Sequence, residues 1–349
     1  MIECRNLSKL YGTVQAVSDI SLSLDEHEFL SILGPSGCGK STLLRLIAGL
    51  EVPSQGQVIL HGQEISGRKI ILPPERRKFG MIFQDFALFP HLSVKDNVGY
   101  GATGSKKEKQ QRVHELLELV SLPHLATKMP HQISGGEQQR IALARALAPR
   151  PRLILMDEPF SNLDYQLRQQ LRRDIREILK YEGVATVLVT HDQVEAITFS
   201  DRMLLMQKGM VVQEGTPSEI YQNPQTIWAA SFVGEANHLP VEWQNDSLQT
   251  PLGELNVPSE IGMNARIMMV LPEDFKLESV PVDRANGIVK SVDLSGSVQT
   301  VGVALKTGAS IQVSGSPHLL WNQDDSVKIT AERYLCFNSS GNRLNGIPK

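Results

Sequence analysis

Short apolar runs separated by polar turns open the chain and predict three β-strands. These strands lie at residues 2–6, 20–24 and 29–33. After the third strand the spacing changes, because the apolar residues from Leu43 to Ile47 follow a helical pattern that ends at Gly49. The chain therefore begins with strands and then passes through a glycine-rich segment into a helix.

The same two patterns alternate over the next 140 or so residues and predict an α/β fold. The run at 153–157 is apolar up to its last residue, as expected of a central strand in a parallel sheet. Further strands are predicted at 56–60, 80–84, 153–157 and 184–190. Helices are predicted at 106–120, 141–147 and 165–180.

The glycine-rich segment has the spacing of a phosphate-binding loop, in which glycines let successive backbone N–H groups converge on one anion. Lys40 is placed to reach the β and γ phosphates, and Ser41 to bind Mg²⁺ through its hydroxyl. An ordinary glycine-rich turn is the alternative, but a strand before the segment and a helix after it favour the phosphate site. The predicted loop comprises Gly34, Pro35, Ser36, Gly37, Cys38, Gly39, Lys40, Ser41 and Thr42.

Polar side chains stand at the ends of three predicted strands. Asp157 is expected to hold Mg²⁺, and Glu158 to polarise the attacking water as a general base. Gln84 is predicted to offer a side-chain oxygen to the metal or to that water. His191 directly follows the predicted strand at 184–190, much as the acidic pair lies at the end of its own strand. The alternatives are a chance pair of acids, a merely polar glutamine and a structural histidine.

Two more segments suggest ligand contacts. Tyr11, between the first two strands, can stack on a purine ring or simply pack in its turn. Ser134, Gly135, Gly136 and Glu137 open a helix and are predicted to form a second anion site through backbone amides. A serine N-cap with an acidic first turn is the alternative, and both interpretations can hold at once.

Two segments are predicted to lie at the surface. The charged run at 75–78 is interpreted as a solvated face. Phe86, Leu88, Phe89 and Leu92 crowd a predicted loop, where they form a docking patch if exposed and loop packing if buried.

Composition narrows the class of protein. The 349 residues suggest two domains, and a formal charge of −3 predicts no nucleic-acid partner. Three widely spaced cysteines lack zinc-type spacing and fit a reducing compartment. Residues 1–5 lack a signal-type apolar region, and no apolar run approaches the roughly 18 residues that span a bilayer. Any membrane role is therefore expected to come from a partner.

Taken in order, six motifs resemble the ATP-binding subunit of ABC transporters over about residues 1–235. The resemblance implies a P-loop ATPase that uses ATP and Mg²⁺, with a mixed sheet and a helical subdomain at about 86–150 that touches membrane subunits. It also implies a homodimer, in which each ATP lies between the phosphate loop of one copy and the signature segment of the other. The six motifs are Tyr11, the Walker A loop at 34–42, Gln84, the signature Ser134-Gly135-Gly136, the Walker B pair Asp157 and Glu158, and His191.

This resemblance assigns roles residue by residue. Glu158, His191 and Gln84 are the expected catalytic residues, and Ser41, Gln84 and Asp157 the expected Mg²⁺ ligands. The expected nucleotide-binding residues are Tyr11, the loop 34–42, Ser134 to Glu137, and Asp164. Ile133 and Glu137 replace the commoner Leu and Gln, and Asn162 replaces the commoner Ala.

The tail from 236 onward changes character and predicts a small all-β barrel or sandwich at 236–349. The bridge at 215–237 resembles import ATPases of the maltose, sulfate, polyamine and ferric-iron group, whose OB-like tail is regulatory and helps dimerisation. Leu271 stands where that group commonly has Arg before Pro-Glu-Asp. Strands are predicted at 241–243, 255–257, 267–271, 287–292, 298–305, 310–313 and 327–330.

Within that group, residues 72–77 and 232–237 look most like ferric-iron importers. The expected function is ATP-driven uptake through two separate membrane permease subunits and an extracytoplasmic solute-binding protein, from the cytoplasmic face of the inner membrane. Polyamine, sulfate, phosphonate and sugar are the alternative solutes. A soluble ABC ATPase of DNA repair or translation is a remoter alternative, because the chain has one cassette and lacks a very long insertion.

Overall fold

The computed structural model describes residues 1–345 except 69, 162–163, 297, 317 and 319–320. The chain divides into two compact units, Met1–Pro217 and Ser218–Lys349. Among the residues that the structure describes, no helix is both long and apolar enough to cross a bilayer.

The first unit combines strands and helices in the predicted order. Its strands are β1 (Ile2–Tyr11), β2 (Val14–Leu24), β3 (Phe29–Leu33), β4 (Gln55–Leu60), β5 (Gln63–Ser66), β6 (Phe79–Ile82), β7 (Leu153–Asp157), β8 (Ala185–Thr190), β9 (Arg202–Gln207) and β10 (Met210–Gly215). Its helices are α1 (Lys40–Ala48), α2 (Pro74–Arg77), α3 (Val94–Gly99), α4 (Lys106–Leu119), α5 (Gly135–Leu147), α6 (Tyr165–Glu182) and α7 (Gln193–Phe199). Short 3₁₀ turns lie at Pro123–Leu125 and Pro130–Gln132.

Two strands are longer than predicted. β1 and β2 pair as a hairpin whose last pair is Tyr11 and Val14, with Gly12 at a φ of 59° in the turn. Backbone pairing therefore carries both strands past the apolar runs that the sequence shows, and it places Tyr11 at the end of a strand. β6, in contrast, ends at Ile82, so Gln84 follows the strand instead of ending it.

A six-stranded mixed sheet forms the centre of this unit, in the order β10-β9-β3-β8-β7-β6. The strands from β9 to β6 are parallel, and β10 is antiparallel at one edge. Every residue of β3, β7 and β8 is buried, which confirms the prediction of central parallel strands. A separate four-stranded antiparallel sheet has the order β2-β1-β4-β5.

Strand register decides which side chains meet. Leu33 pairs with Thr190, and Asp157 pairs with Val189, so β3, β7 and β8 end at the same edge of the sheet. The carboxyl end of β6 reaches the same edge beside β7. The phosphate loop and the polar residues after these strands therefore emerge together.

The segment between β6 and β7 is helical where the structure describes it, with α3, α4 and α5 packed on one apolar cluster. Phe86 lies in this cluster and is 6% exposed, and Leu88 packs against its edge. Loop packing is therefore the correct interpretation for Phe86. Phe89 and Leu92 remain half-buried.

Arg77 contradicts the predicted solvated face. Its side chain is 2% exposed and donates to the carbonyls of Leu72 at 2.8 Å and Ile47 at 2.7 Å, and to the Ser66 hydroxyl at 2.6 Å. Because Ile47 lies near the carboxyl end of α1, the guanidinium caps the negative end of the helix that follows the phosphate loop. Burial lowers the pKa of Arg77 to about 10. The other three residues of the run are exposed, as predicted.

The second unit is mainly β, as predicted. Its strands are β11 (Asn237–Pro240), β12 (Glu242–Gln244), β13 (Ser247–Thr250), β14 (Gly253–Leu255), β15 (Ile267–Val270), β16 (Phe275–Ser279), β17 (Gly287–Ser295), β18 (Val298–Leu305), β19 (Ser310–Gly315), β20 (Ser326–Ala331), β21 (Leu335–Phe337) and β22 (Arg343–Leu344). Its helices are α8 (Pro217–Gln222), α9 (Ile227–Val233) and α10 (Ser259–Asn264), with a 3₁₀ turn at Pro272–Asp274.

These strands form three sheets around one apolar core. The largest has the order β16-β20-β17-β18-β19, and its inner residues alternate with exposed ones along β18 and β19. That alternation is why the sequence predicts these strands well. The short strands β11, β13, β16, β21 and β22 were missed, because two to five residues carry too little pattern. Residue 235, the predicted end of the ATP-binding domain, lies within this unit just after α9.

Candidate nucleotide-binding site

The phosphate loop joins β3 to α1 through a backbone that requires glycine. Gly37 and Gly39 have φ values of 77° and 104°. A Cβ on Gly39 would lie 2.1 Å from the carbonyl oxygen of Ala16, so a side chain there is excluded by contact as well as by conformation. α1 then begins at Lys40, with its amino end at the loop. The observed strand, loop and helix agree with the prediction from the sequence.

Lys40 folds back over this loop. Its ammonium group donates to the carbonyl oxygens of Gly34 at 2.8 Å and Pro35 at 3.0 Å, and the residue is 4% exposed. Two backbone acceptors thus hold a cation among the loop amides. An anion entering the loop would meet a charge that is already in place.

Ser41 and Asp157 come together from elements far apart in the chain. The Ser41 hydroxyl donates to the Asp157 carboxylate at 2.7 Å, and Asp157 is 9% exposed. Hydroxyl and carboxylate oxygens are ligands that suit Mg²⁺. Among the described residues no group of three or more His, Cys, Asp or Glu side chains could hold a metal. The two side chains of the pair fit Mg²⁺, an ion that usually keeps several waters and binds substrate phosphates.

Glu158 follows Asp157 with a left-handed backbone, at a φ of 45°. Its N–H donates to the carbonyl of Val189 in the neighbouring strand at 2.9 Å, which holds this disfavoured conformation. Its carboxylate lies 3.0 Å from Nδ1 of His191, with the two side chains 20% and 52% exposed. The structure thus brings two of the predicted catalytic residues into hydrogen-bond contact at a solvent-accessible edge.

Gln84 and Tyr11 lie in different segments of this unit. Gln84 is exposed and follows β6, the edge strand beside β7. Tyr11 is 43% exposed, with the ammonium of Lys9 lying 4.8 Å from its ring centroid. Burial and the neighbouring Glu51 carboxylate raise the pKa of Tyr11, while a hydrogen bond with Thr42 opposes them. Tyr11 therefore lies within hydrogen-bond reach of Thr42, the last residue of the phosphate loop, and its stacking on a purine ring stays a prediction.

The signature segment has the predicted capping geometry. The Glu137 carboxylate accepts from the N–H and the hydroxyl of Ser134, each at 2.7 Å, and both ends of the capping box are present. These hydrogen bonds lower the pKa of Glu137. Glycine at position 136 has a separate explanation, because a Cβ there would lie 2.9 Å from Leu167 and 3.1 Å from Leu171. A side chain at this position would press on the ends of those two leucine side chains, so glycine lets α5 pack closely on α6.

Asp164 lies at the start of α6, where its carboxylate accepts the N–H of Leu167 at 3.0 Å. The structure thus gives it a helix-capping contact, and its predicted role toward nucleotide stays a prediction. Asn162, the predicted departure from the family pattern, lies outside the described residues.

Sequence reasoning missed the residues that support the segment after β8. The Thr190 hydroxyl donates to Glu195 at 2.5 Å and accepts the N–H of Asp192 at 3.0 Å. Arg168 of α6 lies 3.4 Å from the Asp192 carboxylate. Burial raises the pKa of Glu195, which is 2% exposed. The available signal was Asp192 after a strand end with Glu195 three residues later, a spacing typical of a helix start, and in the structure Asp192 caps the N–H of Glu195.

These elements define a class of protein. A phosphate loop between a parallel strand and a helix, with its serine bonded to a carboxylate from the next strand but one in the same sheet, is the site of a P-loop nucleotide-hydrolysing domain.

Comparison with known proteins narrows that class. A family model described as ABC transporter matches residues 17–161. An Fe(3+) ions import ATP-binding protein of Pseudomonas fluorescens is 43% identical over 308 residues, covering 87% of each chain. A spermidine/putrescine import ATP-binding protein of Lawsonia intracellularis is 38% identical and covers 93% of this chain and 91% of its own. A dimeric ATP-binding cassette bound to ADP and Pi has a TM-score of 0.55 at 33% identity, covering 62% of this chain and 99% of its own.

The chain belongs to the ABC transporter family, as an ATP-binding subunit that hydrolyses ATP. The predictions of the fold class and of an ATPase are confirmed by these relatives.

Proposed function

We propose that this chain is the ATPase subunit of an importer and that the imported solute is ferric iron. The observation that supports ferric iron as the solute is the 43% identity to an iron-import protein over 87% of both chains, including most of the tail. The polyamine-import relative at 38% identity favours polyamine as the second candidate. Identity at this level supports the transport role more strongly than it separates two solutes, because the solute does not touch this subunit.

Solute identity is tested by reconstitution. The chain, its co-purifying membrane subunits and candidate solute-binding proteins would be placed in proteoliposomes, and ATP hydrolysis measured. We expect the Fe(3+)-loaded binding protein to stimulate hydrolysis above the rate with unloaded protein. Stimulation by a spermidine- or putrescine-loaded protein alone would replace iron by polyamine. Stimulation by neither loaded protein would reject both iron and polyamine as the solute.

At the nucleotide site we assign each role from the contacts above. Lys40 would leave the two loop carbonyls to bind the β and γ phosphates, and Ser41 and Asp157 would hold Mg²⁺. The bound metal would neutralise phosphate charge and orient the phosphates for in-line attack. Glu158 would accept a proton from the attacking water, and His191 would position that carboxylate through the 3.0 Å contact. Gln84, exposed at the same sheet edge, would orient the water or complete the metal shell.

We further propose a homodimer with two shared sites. The dimeric cassette relative supports this arrangement. The exposed residue Ser134, at the amino end of α5, would meet the γ phosphate held by the partner's loop. In the single chain its hydroxyl donates to Glu137, so binding phosphate requires the hydroxyl to exchange one acceptor for another.

Partners and location follow from the same role. We propose two membrane permease subunits and an extracytoplasmic solute-binding protein, with this chain on the cytoplasmic face of the inner membrane. The ATP-binding domain is proposed to span residues 1–235, with its helical subdomain at about 86–150. Residues 236–349 are proposed to form the regulatory and dimer-supporting domain.

The permease is proposed to dock at a cleft of about 900 Å³ in the helical segment. The cleft is lined by residues of α3 and α4 and by the loops beside them, including Leu92, Tyr100 and Val113. Tyr100 is 68% exposed, so an apolar surface stands open there.

A charge placed in this cleft should break the docking. We expect Leu92→Asp with Tyr100→Asp to keep hydrolysis by the isolated chain but to prevent co-purification with the permease subunits. Tyr181→Asp is the matched control, because Tyr181 is 80% exposed on α6. Unchanged co-purification and transport in the double variant would move the docking surface elsewhere.

A further inference from the structure

The turn just after Gln84 has a disfavoured backbone. Phe86 and Ala87 are consecutive non-glycine residues with φ values of 59° and 45°. A Cβ makes this left-handed region unfavourable, and such conformations persist only where neighbouring groups hold them. Phe86 is anchored on one side, since its ring is buried and its N–H donates to the Phe83 carbonyl at 3.0 Å.

Arg145 holds the other side. It lies in the last turn of α5, and its guanidinium donates to the Ala87 carbonyl at 2.6 Å and the Phe86 carbonyl at 3.1 Å. The same guanidinium lies 5.2 Å from the ring centroid of Phe89. One side chain therefore binds both carbonyls of the left-handed pair and stacks on the next aromatic residue.

The following residues have a separate anchor. Asn97 of α3 is fully buried, accepts the N–H of Phe89 at 2.9 Å, and donates to the carbonyls of Phe89 at 3.1 Å and Leu92 at 3.0 Å. Losing Arg145 would thus free the turn next to Gln84 while leaving residues 89–92 fixed on α3.

We infer that Arg145 is a positioning residue that ties the Gln84 turn to the carboxyl end of α5. α5 is one continuous helix, and its amino end carries Ser134. A displacement of Ser134 on meeting nucleotide is transmitted along the helix to Arg145, and from there to the two carbonyls beside Gln84. The link is within one chain. Its consequence for catalysis rests on the proposed role of Gln84 at the nucleotide site.

The link is tested first in the isolated chain, by amide hydrogen exchange of a peptide covering 83–88. We expect Arg145→Met to speed exchange of the Phe86 amide by about tenfold or more, because that amide is protected only while the turn is closed. A peptide covering 93–98, held by Asn97, should not change. Arg173→Met is the matched control, since Arg173 is exposed on α6. Unchanged exchange at 83–88 in Arg145→Met would overturn the inference.

Kinetics separate positioning from mere stability. We expect Arg145→Met to lower kcat about tenfold while the KM for ATP stays within about twofold, because small misplacements cost rate more than binding. Adding Ala87→Gly should restore part of kcat, since glycine adopts a φ of 45° without a steric penalty. Arg145→Lys should have a kcat between that of Arg145→Met and that of the wild type.

A general stabilising role for Arg145 predicts something else. It would lower the melting temperature of Arg145→Met without a change in kcat at permissive temperature, and Ala87→Gly would not rescue. That outcome would overturn the inference. Neither the hydrogen-exchange test nor the kinetic test uses iron or a permease, so a failure of either is distinguishable from a failure of the solute test.

Discussion

Replacing Glu158 by Gln should leave Mg²⁺-ATP bound but slow its cleavage by roughly 10²–10⁴, the contribution typical of a general acid–base group. The amide keeps the size of the carboxylate and can still contact His191, which lies 3.0 Å away, but it cannot take a proton from water. Cleavage is measured in single turnover, and nucleotide binding by equilibrium titration. The uncleaved ATP should also favour the closed homodimer, which sedimentation would detect.

Glu177→Gln makes the same chemical change at an exposed position of α6 and should have wild-type kinetics. His191→Ala should also lose hydrolysis, because the Glu158 carboxylate then loses the imidazole contact that fixes its orientation. Near-normal cleavage by Glu158→Gln would remove the proposed base. A variant that binds nucleotide yet sediments only as a monomer would count against the shared site.

Lys40→Ala should abolish hydrolysis and weaken nucleotide binding. A hydrogen bond to a charged group is worth about 1.5–3 kcal/mol, so the loss of the ammonium should raise the dissociation constant by roughly 10- to 100-fold. The fold should survive, because Lys40 contacts only carbonyl oxygens of its own loop among the hydrogen bonds observed for it. Fluorescent-nucleotide titration and phosphate release measure the two effects, and circular dichroism checks the fold.

Lys180→Ala is the matched control, since Lys180 is exposed in the last turn of α6. It should change neither binding nor hydrolysis. Turnover by Lys40→Ala at a rate near that of the wild type would show that phosphate is held elsewhere and would reject the assignment of the loop.

The fully buried strands were predictable because their sequences are mostly apolar. β7 and β8 each end at a polar residue, so the sequence shows both the strand and its chemical end, and β3 ends where the glycine-rich loop begins. The phosphate loop was predictable for a similar reason, since the local backbone conformation requires its glycines. Both features depend on neighbours in the chain, and the sequence by itself determined them.

Other features depend on groups distant in the chain. The sequence shows Arg77 as one cation in a charged run. In the structure its guanidinium donates to backbone carbonyls near the end of α1 and in the segment before α2. Phe86 was predicted to lie either in an exposed patch or in loop packing, and the structure packs it with the core of the helical segment. Local pattern cannot distinguish these outcomes, because a polar or apolar side chain is buried by whatever packs against it.

The sequence alone therefore determined the class of the site and the residues at its strand ends. Only the tertiary structure decided how those residues meet. Strand register places Asp157 at Ser41, and a left-handed backbone turns Glu158 to His191. The physical reason is that composition and spacing fix which groups a segment carries. The partner of each group is fixed by hydrogen bonding and packing between segments more than a hundred residues apart, as for Ser41 and Asp157.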